Sequence, residues 1–220
     1  MKPLFTFLII TLAIAAFAQV EQKPDPLDFL PKGYVIFEKI TGDLNKDGIE
    51  DCILIIKGTD TSKIVTDEYR GKLDRNRRGI IVLFHKKGHY ELALKNYACF
   101  SSENEDGGVY FAPELSFEIK KGNLYVHYAH GRYGYLEYTF RFDHSAFELI
   151  GYDESNGGPV IESEISINFL TKKKQEKLNT NENADGGDEV FKVTRKNIVI
   201  NKLIKLSKIK DFDELDMTVY

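Results

Sequence analysis

The residues from Asp43 to Asp51 have the clearest potential for chemistry in the chain. They read DLNKDGIED, so Asp or Asn occupies positions 1, 3, 5 and 9, and Gly48 follows the third of these residues. A short loop that offers hard oxygen ligands from positions 1, 3, 5, 7 and 9 can wrap Ca²⁺. The glycine permits the left-handed backbone that a sharp turn requires. The expected ligands are the side chains of Asp43, Asn45 and Asp47, the carbonyl of Ile49 and the side chain of Asp51.

This loop differs from an EF-hand, because it is expected between two strands. An EF-hand places a bidentate Glu at position 12 and is framed by two helices, whereas position 12 here is Leu54, inside an apolar run. The flanking segments 34–41 and 52–57 predict strands. Mg²⁺ fits the ligand set less well, since it prefers a smaller octahedral cage and retains its waters. The alternative interpretation is an Asx-rich hairpin turn without an ion.

The segment around the loop resembles one repeat of the FG-GAP or VCBS type. YVIFEKIT precedes GDLNKDGIEDCILII, which matches the strand, the DxNxDGxxD loop and the apolar strand of such a repeat. The resemblance implies an exported bacterial protein in which the five ligands named above hold calcium. Such repeats usually recur around a β-propeller, but in this chain residues 181–189, NENADGGDE, are only a weaker second copy. Residues 102–107 are weaker still, and whether 181–189 binds a second ion stays open.

The N-terminal residues 1–18 predict a cleaved secretory signal peptide. Lys2 precedes a nearly continuous apolar run, and Ala16-Phe17-Ala18 has the small-x-small pattern of a cleavage site before Gln19. The run is shorter than the ~20 residues that span a bilayer, although a retained anchor is the alternative. The mature chain has no other apolar run of spanning length. We therefore expect a periplasmic or extracellular protein with no membrane span after cleavage.

Export gives the two cysteines, Cys52 and Cys99, two possible states. In an oxidising compartment they are candidates for one structural disulfide. The long loop that it would close corresponds to a stabilisation of ~4 kcal/mol in the chain-entropy view. The alternative is two buried thiols that behave as small hydrophobic side chains.

Alternation of apolar and polar residues predicts an all-β fold. Leu136, Tyr138, Phe140 and Phe142 alternate with Glu137, Thr139 and Arg141, which places one row on a core and the other in water. The continuous apolar runs 52–56 and 80–84 predict central strands covered on both faces. Strands at about 114–120, 123–130, 133–143 and 146–152 form an antiparallel meander, because turn residues separate them. The sheet is expected to form a sandwich or a partial propeller-like arrangement with few short helical turns.

The chain divides into a short lead-in and one domain. Residues 19–32 contain three prolines and predict an irregular lead-in, and 33–220 form a single β-rich domain. The polar stretches 67–78 and 172–180 predict loops or helical turns, and 171–188 predicts a mobile loop. Two last strands are expected near 189–194 and 198–206, followed by an acidic, frayed end.

Composition and motifs argue against several classes of function. The 220 residues include 30 Lys and Arg against 34 Asp and Glu, a net charge of −4, which excludes a basic nucleic-acid-binding surface. No serine lies in a GxSxG motif, and the five histidines have no Cys or Glu at zinc-like spacing. The sequence therefore predicts a non-enzyme, with a hydrolase or inhibitor assembled from scattered residues as the alternative.

Tyrosines along the meander give a second candidate surface. They are Tyr125, Tyr128, Tyr133, Tyr135 and Tyr138. A cross-strand aromatic ladder is the structural interpretation, and a ligand-binding face is the functional one. Tyr133 and Tyr135 share the outward row with Glu137, so they are the pair expected to face a protein or glycan ligand. Taken together, the sequence predicts an exported β-domain that binds Ca²⁺ and acts in binding or in the cell envelope.

Overall fold

The computed structural model describes residues 20–105 and 112–220, so the predicted signal peptide 1–18 lies outside the described residues. The strands are β1 Gln22–Lys23, β2 Tyr34–Gly42, β3 Asp51–Gly58, β4 Ile64–Asp67, β5 Gly71–Asp74, β6 Arg78–Lys86, β7 His89–Phe100, β8 Glu114–Lys120, β9 Asn123–Ala129, β10 Gly134–Asp143, β11 Ala146–Gly157, β12 Ile161–Asn168, β13 Lys173–Asn179 and β14 Phe191–Asn197. Short 3-10 turns lie at Pro26–Phe29, Thr61–Lys63, Gly131–Tyr133 and Leu206–Lys208. No helix in these two ranges is long and apolar enough to cross a membrane.

The strands form two antiparallel sheets and a small hairpin. One sheet has five strands in the order β1-β7-β6-β3-β2, and the other has seven in the order β14-β13-β12-β11-β10-β9-β8. The seven-stranded sheet is a continuous meander, because each strand pairs with its neighbour in sequence. Strands β4 and β5 pair separately. The predicted all-β, mostly antiparallel fold is confirmed, including the four consecutive strands from β8 to β11.

The two sheets pack face to face through one large hydrophobic cluster. Ile53 and Ile55 of β3 and Phe140 of β10 are fully buried within it. Alternate residues of β3, such as Leu54 and Ile56, point to the opposite face, where Phe29 of the lead-in helps to cover them in a second cluster. Strands β3 and β6 are therefore buried on both sides, as their unbroken apolar runs predict.

The chain after β14 completes the core of the sandwich. Phe212 is 3% exposed, and its ring stacks on Phe100 at a centroid distance of 5.0 Å. The Asn96 side chain donates hydrogen bonds to the carbonyls of Leu206 and Ile209 at 3.0 and 2.7 Å. The prediction of a frayed acidic end is wrong, because apolar side chains spaced among the acids insert between the sheets. No strand forms at 198–206, which is irregular and ends in a 3-10 turn.

The polar segment 171–188 differs from the loop that its composition predicts. Residues Lys173–Asn179 form β13, which pairs with β12 on one side and β14 on the other. Both β13 and β14 extend past the core, so most of their side chains on either face are in contact with solvent. Such strands lack the apolar row that reveals a strand in sequence. Similarly, β5 forms within the stretch 67–78 that was expected to be a loop or helical turn.

Candidate functional site

The loop between β2 and β3 is anchored in the core by its second residue. Leu44 is 1% exposed and belongs to the large cluster between the sheets. Lys46 and Gly48 adopt positive φ angles of 63° and 84°, which turn the backbone sharply between the anchor and β3. An apolar residue at position 2 and a glycine at position 6 thus fix the path of the loop.

Asp51 is a completely buried carboxylate that ties the loop to the five-stranded sheet. Its Oδ2 accepts hydrogen bonds from the backbone N–H groups of Leu44 and Asn45 at 2.9 and 3.3 Å, and its Oδ1 accepts one from His85 at 3.0 Å. Burial raises the pKa of Asp51, and these backbone donors oppose the rise. The side chain therefore acts as a clasp that joins the start of the loop to β3 and β6.

Asp43 and Asn45 direct their side-chain oxygens toward one point of the loop. Asp43 Oδ1 and Asn45 Oδ1 both accept from the N–H of Asp47, at 3.2 and 2.9 Å, and Asp43 Oδ2 accepts from Gly48 at 3.0 Å. This bonding fixes the Asn45 amide with its oxygen inward and leaves its Nδ2 buried without a hydrogen-bond partner. The loop thus brings two side-chain oxygens together on the Asp47 N–H, while the Asn45 Nδ2 makes no hydrogen bond.

Asp47 carries the exposed carboxylate of the loop. Its Oδ1 accepts a hydrogen bond from Ile49 N–H at 3.0 Å, and its Oδ2 pairs with the Lys86 ammonium at 2.8 Å. The Lys86 hydrogen bond, followed by that of Ile49, lowers the pKa of Asp47. Lys86 lies on β6, far away in sequence, and sequence reasoning missed it because no local pattern links the two residues.

The residues that the sequence nominates are only partly brought together. Asp43, Asn45 and Asp47 surround the turn, whereas Asp51 lies beneath it as the clasp. In the described ranges, no three His, Cys, Asp or Glu side chains form a group able to hold a metal ion. The three outer side chains nevertheless supply hard oxygens of the kind that Ca²⁺ prefers, so the donor chemistry fits this ion at the outer part of the loop.

The loop also contacts the seven-stranded sheet. A Cβ added at Gly42 would lie 2.7 Å from Ile119 Cγ2, so the backbone at the end of β2 packs directly on β8. The Lys46 side chain passes close over Gly122 in the β8–β9 turn. A surface cavity of about 490 Å³ lies between these segments and is lined by Asp43. The loop therefore lies at the junction of the two sheets.

Comparisons with protein-family models, curated proteins and solved structures found no match.

The second, weaker loop copy has a different internal arrangement. Asn181 Oδ1 accepts from Asn183 N–H at 3.2 Å, while Asp185 N–H donates to Asp188 Oδ1 at 2.7 Å. Glu189 accepts from Gly187 and from Ile161 on β12. These acceptors point to separate backbone groups, and the loop has no fully buried residue. The loop 102–107 lies partly outside the described residues.

Cys52 and Cys99 are both free and buried. Cys52 belongs to the cluster on the outer side of the five-stranded sheet, and Cys99 belongs to the cluster between the sheets. Cys52 pairs with Leu83 in the second half of β6. Phe100, which follows Cys99, pairs with Arg78 at the start of β6. The structure thus places the thiols on different faces and near opposite ends of the sheet. Burial raises the pKa of both, as expected of inert thiols.

The two candidate ligand-facing tyrosines are each 36% exposed. Tyr135 is the second residue of β10 and stacks on His127, with ring centroids 5.2 Å apart. His127 Nδ1 in turn lies 3.2 Å from Glu137 Oε2. Tyr133 lies in the preceding 3-10 turn and not in the strand, and its hydroxyl accepts a hydrogen bond from Arg132 at 2.9 Å. The pair therefore reaches the surface beside a stacked His–Tyr–Glu group on the outer face of the sheet.

Proposed function

We propose that this chain is an exported, non-enzymatic β-domain that binds Ca²⁺ through the outer part of loop 43–51. The observation that supports the proposal is the convergence of Asp43 Oδ1 and Asn45 Oδ1 on the single N–H group of Asp47. The loop holds these oxygens together although the Asn45 amide nitrogen stays unpaired. A divalent cation at this point would offset the repulsion between the Asp43 and Asp47 carboxylates.

The place of the loop suggests what the ion would do. Loop 43–51 contacts the core through Leu44, β6 through Asp51 and β8 through Gly42. An ion that tightens the turn would therefore stabilise the junction of both sheets. Isolated extracellular calcium sites often bind with dissociation constants of ~10⁻⁴ to 10⁻³ M. At ten times the dissociation constant, binding adds only ~1.4 kcal/mol to the free energy of unfolding.

The outer face of the seven-stranded sheet supports a role in binding. Cross-strand register gives this face a continuous polar row, which consists of Ser116, His127, Glu137, Asp153, Ser166, Gln175 and Arg195. Tyr135 lies two residues before Glu137 in β10 and on the same face. A broad polar surface with an exposed aromatic ring suits a glycan or a protein partner.

Titration calorimetry of the folded chain tests the calcium proposal. We expect Ca²⁺ to give saturable heat, Mg²⁺ to give much less, and Asp47→Ala to abolish the signal. Asp185→Ala, at the equivalent position of the second loop, is the matched control and retains the signal of loop 43–51. Absence of calcium-dependent heat from the unmodified chain would overturn the proposal.

A further inference from the structure

A second concave site lies at the opposite end of β9 from the calcium loop. The cavity has a volume of about 270 Å³ and is enclosed by the inner faces of β9, β10 and β11 and by the segment 212–218. Pockets for drug-sized ligands span ~300–1,000 Å³, so this cavity suits a smaller molecule.

Buried aromatic rings form the floor of the cavity. Tyr128, Tyr138 and Tyr152 are 3%, 2% and 3% exposed. The Tyr138 ring packs edge-on against Phe212 at 5.0 Å and beside Tyr152 at 5.1 Å. Aromatic faces within reach of a cation attract it through the ring quadrupole.

One hydroxyl group on this floor has no partner. The Tyr128 hydroxyl oxygen is buried and makes no hydrogen bond, which is costly for a group removed from water. Burial raises the pKa of Tyr128, so the phenol stays protonated and neutral. In contrast, the Tyr152 hydroxyl donates to Glu154 Oε2 at 2.7 Å. Tyr128 therefore lines the cavity while its hydroxyl oxygen stays unsatisfied.

The rim of the cavity is acidic. Glu154, Asp213 and Asp216 line it, and neither Lys nor Arg is among its lining residues. His130 also lines it, and burial lowers the pKa of His130, which favours the neutral imidazole. Arg78 lies near Tyr128 behind the floor, but its Nε donates to the Ser101 carbonyl and its guanidinium lies over Phe37.

We propose that this cavity binds a small primary ammonium ion, RNH₃⁺, at a site independent of the calcium loop. The ammonium N–H groups would donate to the Glu154 carboxylate and to the unpaired Tyr128 oxygen. The alkyl part would pack on the tyrosine rings, and the acidic rim would supply a favourable potential. A neutral ligand of the same shape would gain the apolar contacts but not the charge complementarity.

Titration of the whole chain with n-butylammonium and with 1-butanol, followed by NMR, tests this inference. We expect butylammonium to shift the ring resonances of the cavity tyrosines with saturation, and 1-butanol to bind at least tenfold more weakly. Equal binding of the two probes would overturn the inference, since it would show an apolar cavity without charge selection. No saturation by butylammonium would also overturn it.

Three variants assign the effect to named groups. Glu154→Gln should weaken butylammonium binding at least fivefold, whereas Asp153→Asn makes the same charge change on the opposite face of β11 and should leave it unchanged. Tyr128→Phe should weaken binding similarly while the melting temperature stays equal or rises, because the lost hydroxyl has no partner in the fold. Undiminished binding in both Glu154→Gln and Tyr128→Phe would refute the assignment. Calcium binding by loop 43–51 should be the same in all three variants.

Discussion

The loops 43–51 and 181–189 are related in sequence but not in how they are held. Both join antiparallel strands, and both place Asn or Asp at positions 1, 3 and 5 before a glycine. In the first loop the second residue, Leu44, is buried in the core. The corresponding residue of the second loop, Glu182, is exposed, and β13 and β14 on either side extend beyond the core.

The difference lies in what surrounds the motif. In loop 43–51, Leu44 anchors the start of the loop in the core and the buried Asp51 holds its end. With both ends fixed, the side-chain oxygens of the loop point to one place. Loop 181–189 has neither, so its side chains bond separate backbone groups. The alternation of Asx residues is therefore insufficient by itself, and the residues between and after the ligands decide the geometry.

Removal of the apolar anchor should have the largest effect. Leu44→Ala deletes a fully buried side chain, and such substitutions cost about 2–5 kcal/mol through lost burial and the cavity left behind. Glu182→Ala, at the same position of the second loop, should change the free energy of unfolding by less than about 0.5 kcal/mol. Urea unfolding measures both. Similar effects of the two substitutions would contradict the anchor role.

Loss of the clasp should rank second. In Asp51→Asn, one of the two oxygens that accept from the N–H groups of Leu44, Asn45 and His85 is replaced by an amide NH₂, which is itself a donor. We expect the free energy of unfolding to fall by about 2–3 kcal/mol. Glu189, at the matching position, is partly exposed, so Glu189→Gln should cost less than about 1 kcal/mol. Equilibrium denaturation of the two variants distinguishes them, and an Asp51→Asn protein as stable as the unmodified chain would refute the clasp.

Chelation should have a smaller, loop-specific effect. With Ca²⁺ at ten times its dissociation constant, EDTA should lower the free energy of unfolding by ~1.4 kcal/mol. For a chain of this size, that corresponds to a fall in melting temperature of about 3–6 °C. Asp47→Ala should melt lower in Ca²⁺ and lose its sensitivity to EDTA, while Asp185→Ala keeps it. Identical melting curves of the unmodified chain with and without chelator would count against the calcium proposal.

The titration of Asp47 gives the finest distinction between the loops. Lys86 is the main cause of the lowered pKa of Asp47, whereas the pKa of Glu189 is lowered first by its own backbone N–H and then by that of Ile161. Lys86→Gln should therefore move the pKa of Asp47 back toward its ordinary value of 3.8 and leave Glu189 unchanged. Carboxyl NMR titration measures both groups.

The same shift has a defined sign for stability. Because the pKa of Asp47 is lowered in the folded state, its contribution is present above the ordinary value of 3.8 and is lost as the pH falls through the folded value. The contribution should be smaller in Lys86→Gln. If the two proteins lose stability to the same extent as the pH falls below 3.8, Lys86 is not the cause of the lowered pKa of Asp47.

The sequence predicts the sandwich well where burial and pattern coincide. Along β10 and β12, apolar and polar residues alternate, and the apolar row faces the core. The unbroken apolar runs of β3 and β6 are buried on both faces. The expected strands 34–41 and 52–57 match β2 and β3 to within one residue at each end. These elements are predictable because a single local rule, burial on one face or on both, determines them.

The remaining elements depend on contacts that no local pattern records. Strand β13 is held by backbone pairing to β12 and β14. It has no apolar row, so its lysine-rich sequence predicts a loop and not a strand. Phe212 is surrounded by acids in sequence, yet Phe100 and Tyr138 pack against it. The same limit applies to loop 43–51. Its Asx spacing can be recognised in the sequence, but the pairing of Asp47 with Lys86 and the backbone hydrogen bonds to Asp51 cannot.

The packing of Phe212 and Leu206 has a consequence for how the protein acquires its shape. Asn96 bonds to the Leu206 carbonyl across 110 positions of chain, and the Phe212 N–H donates to the Cys99 carbonyl. A ribosome must translate the codons of every strand from β1 to β14 before the piece that fills the space between the layers emerges. Because native contacts so distant in sequence form slowly, we expect newly made chains to stay incompletely consolidated until synthesis has passed Phe212.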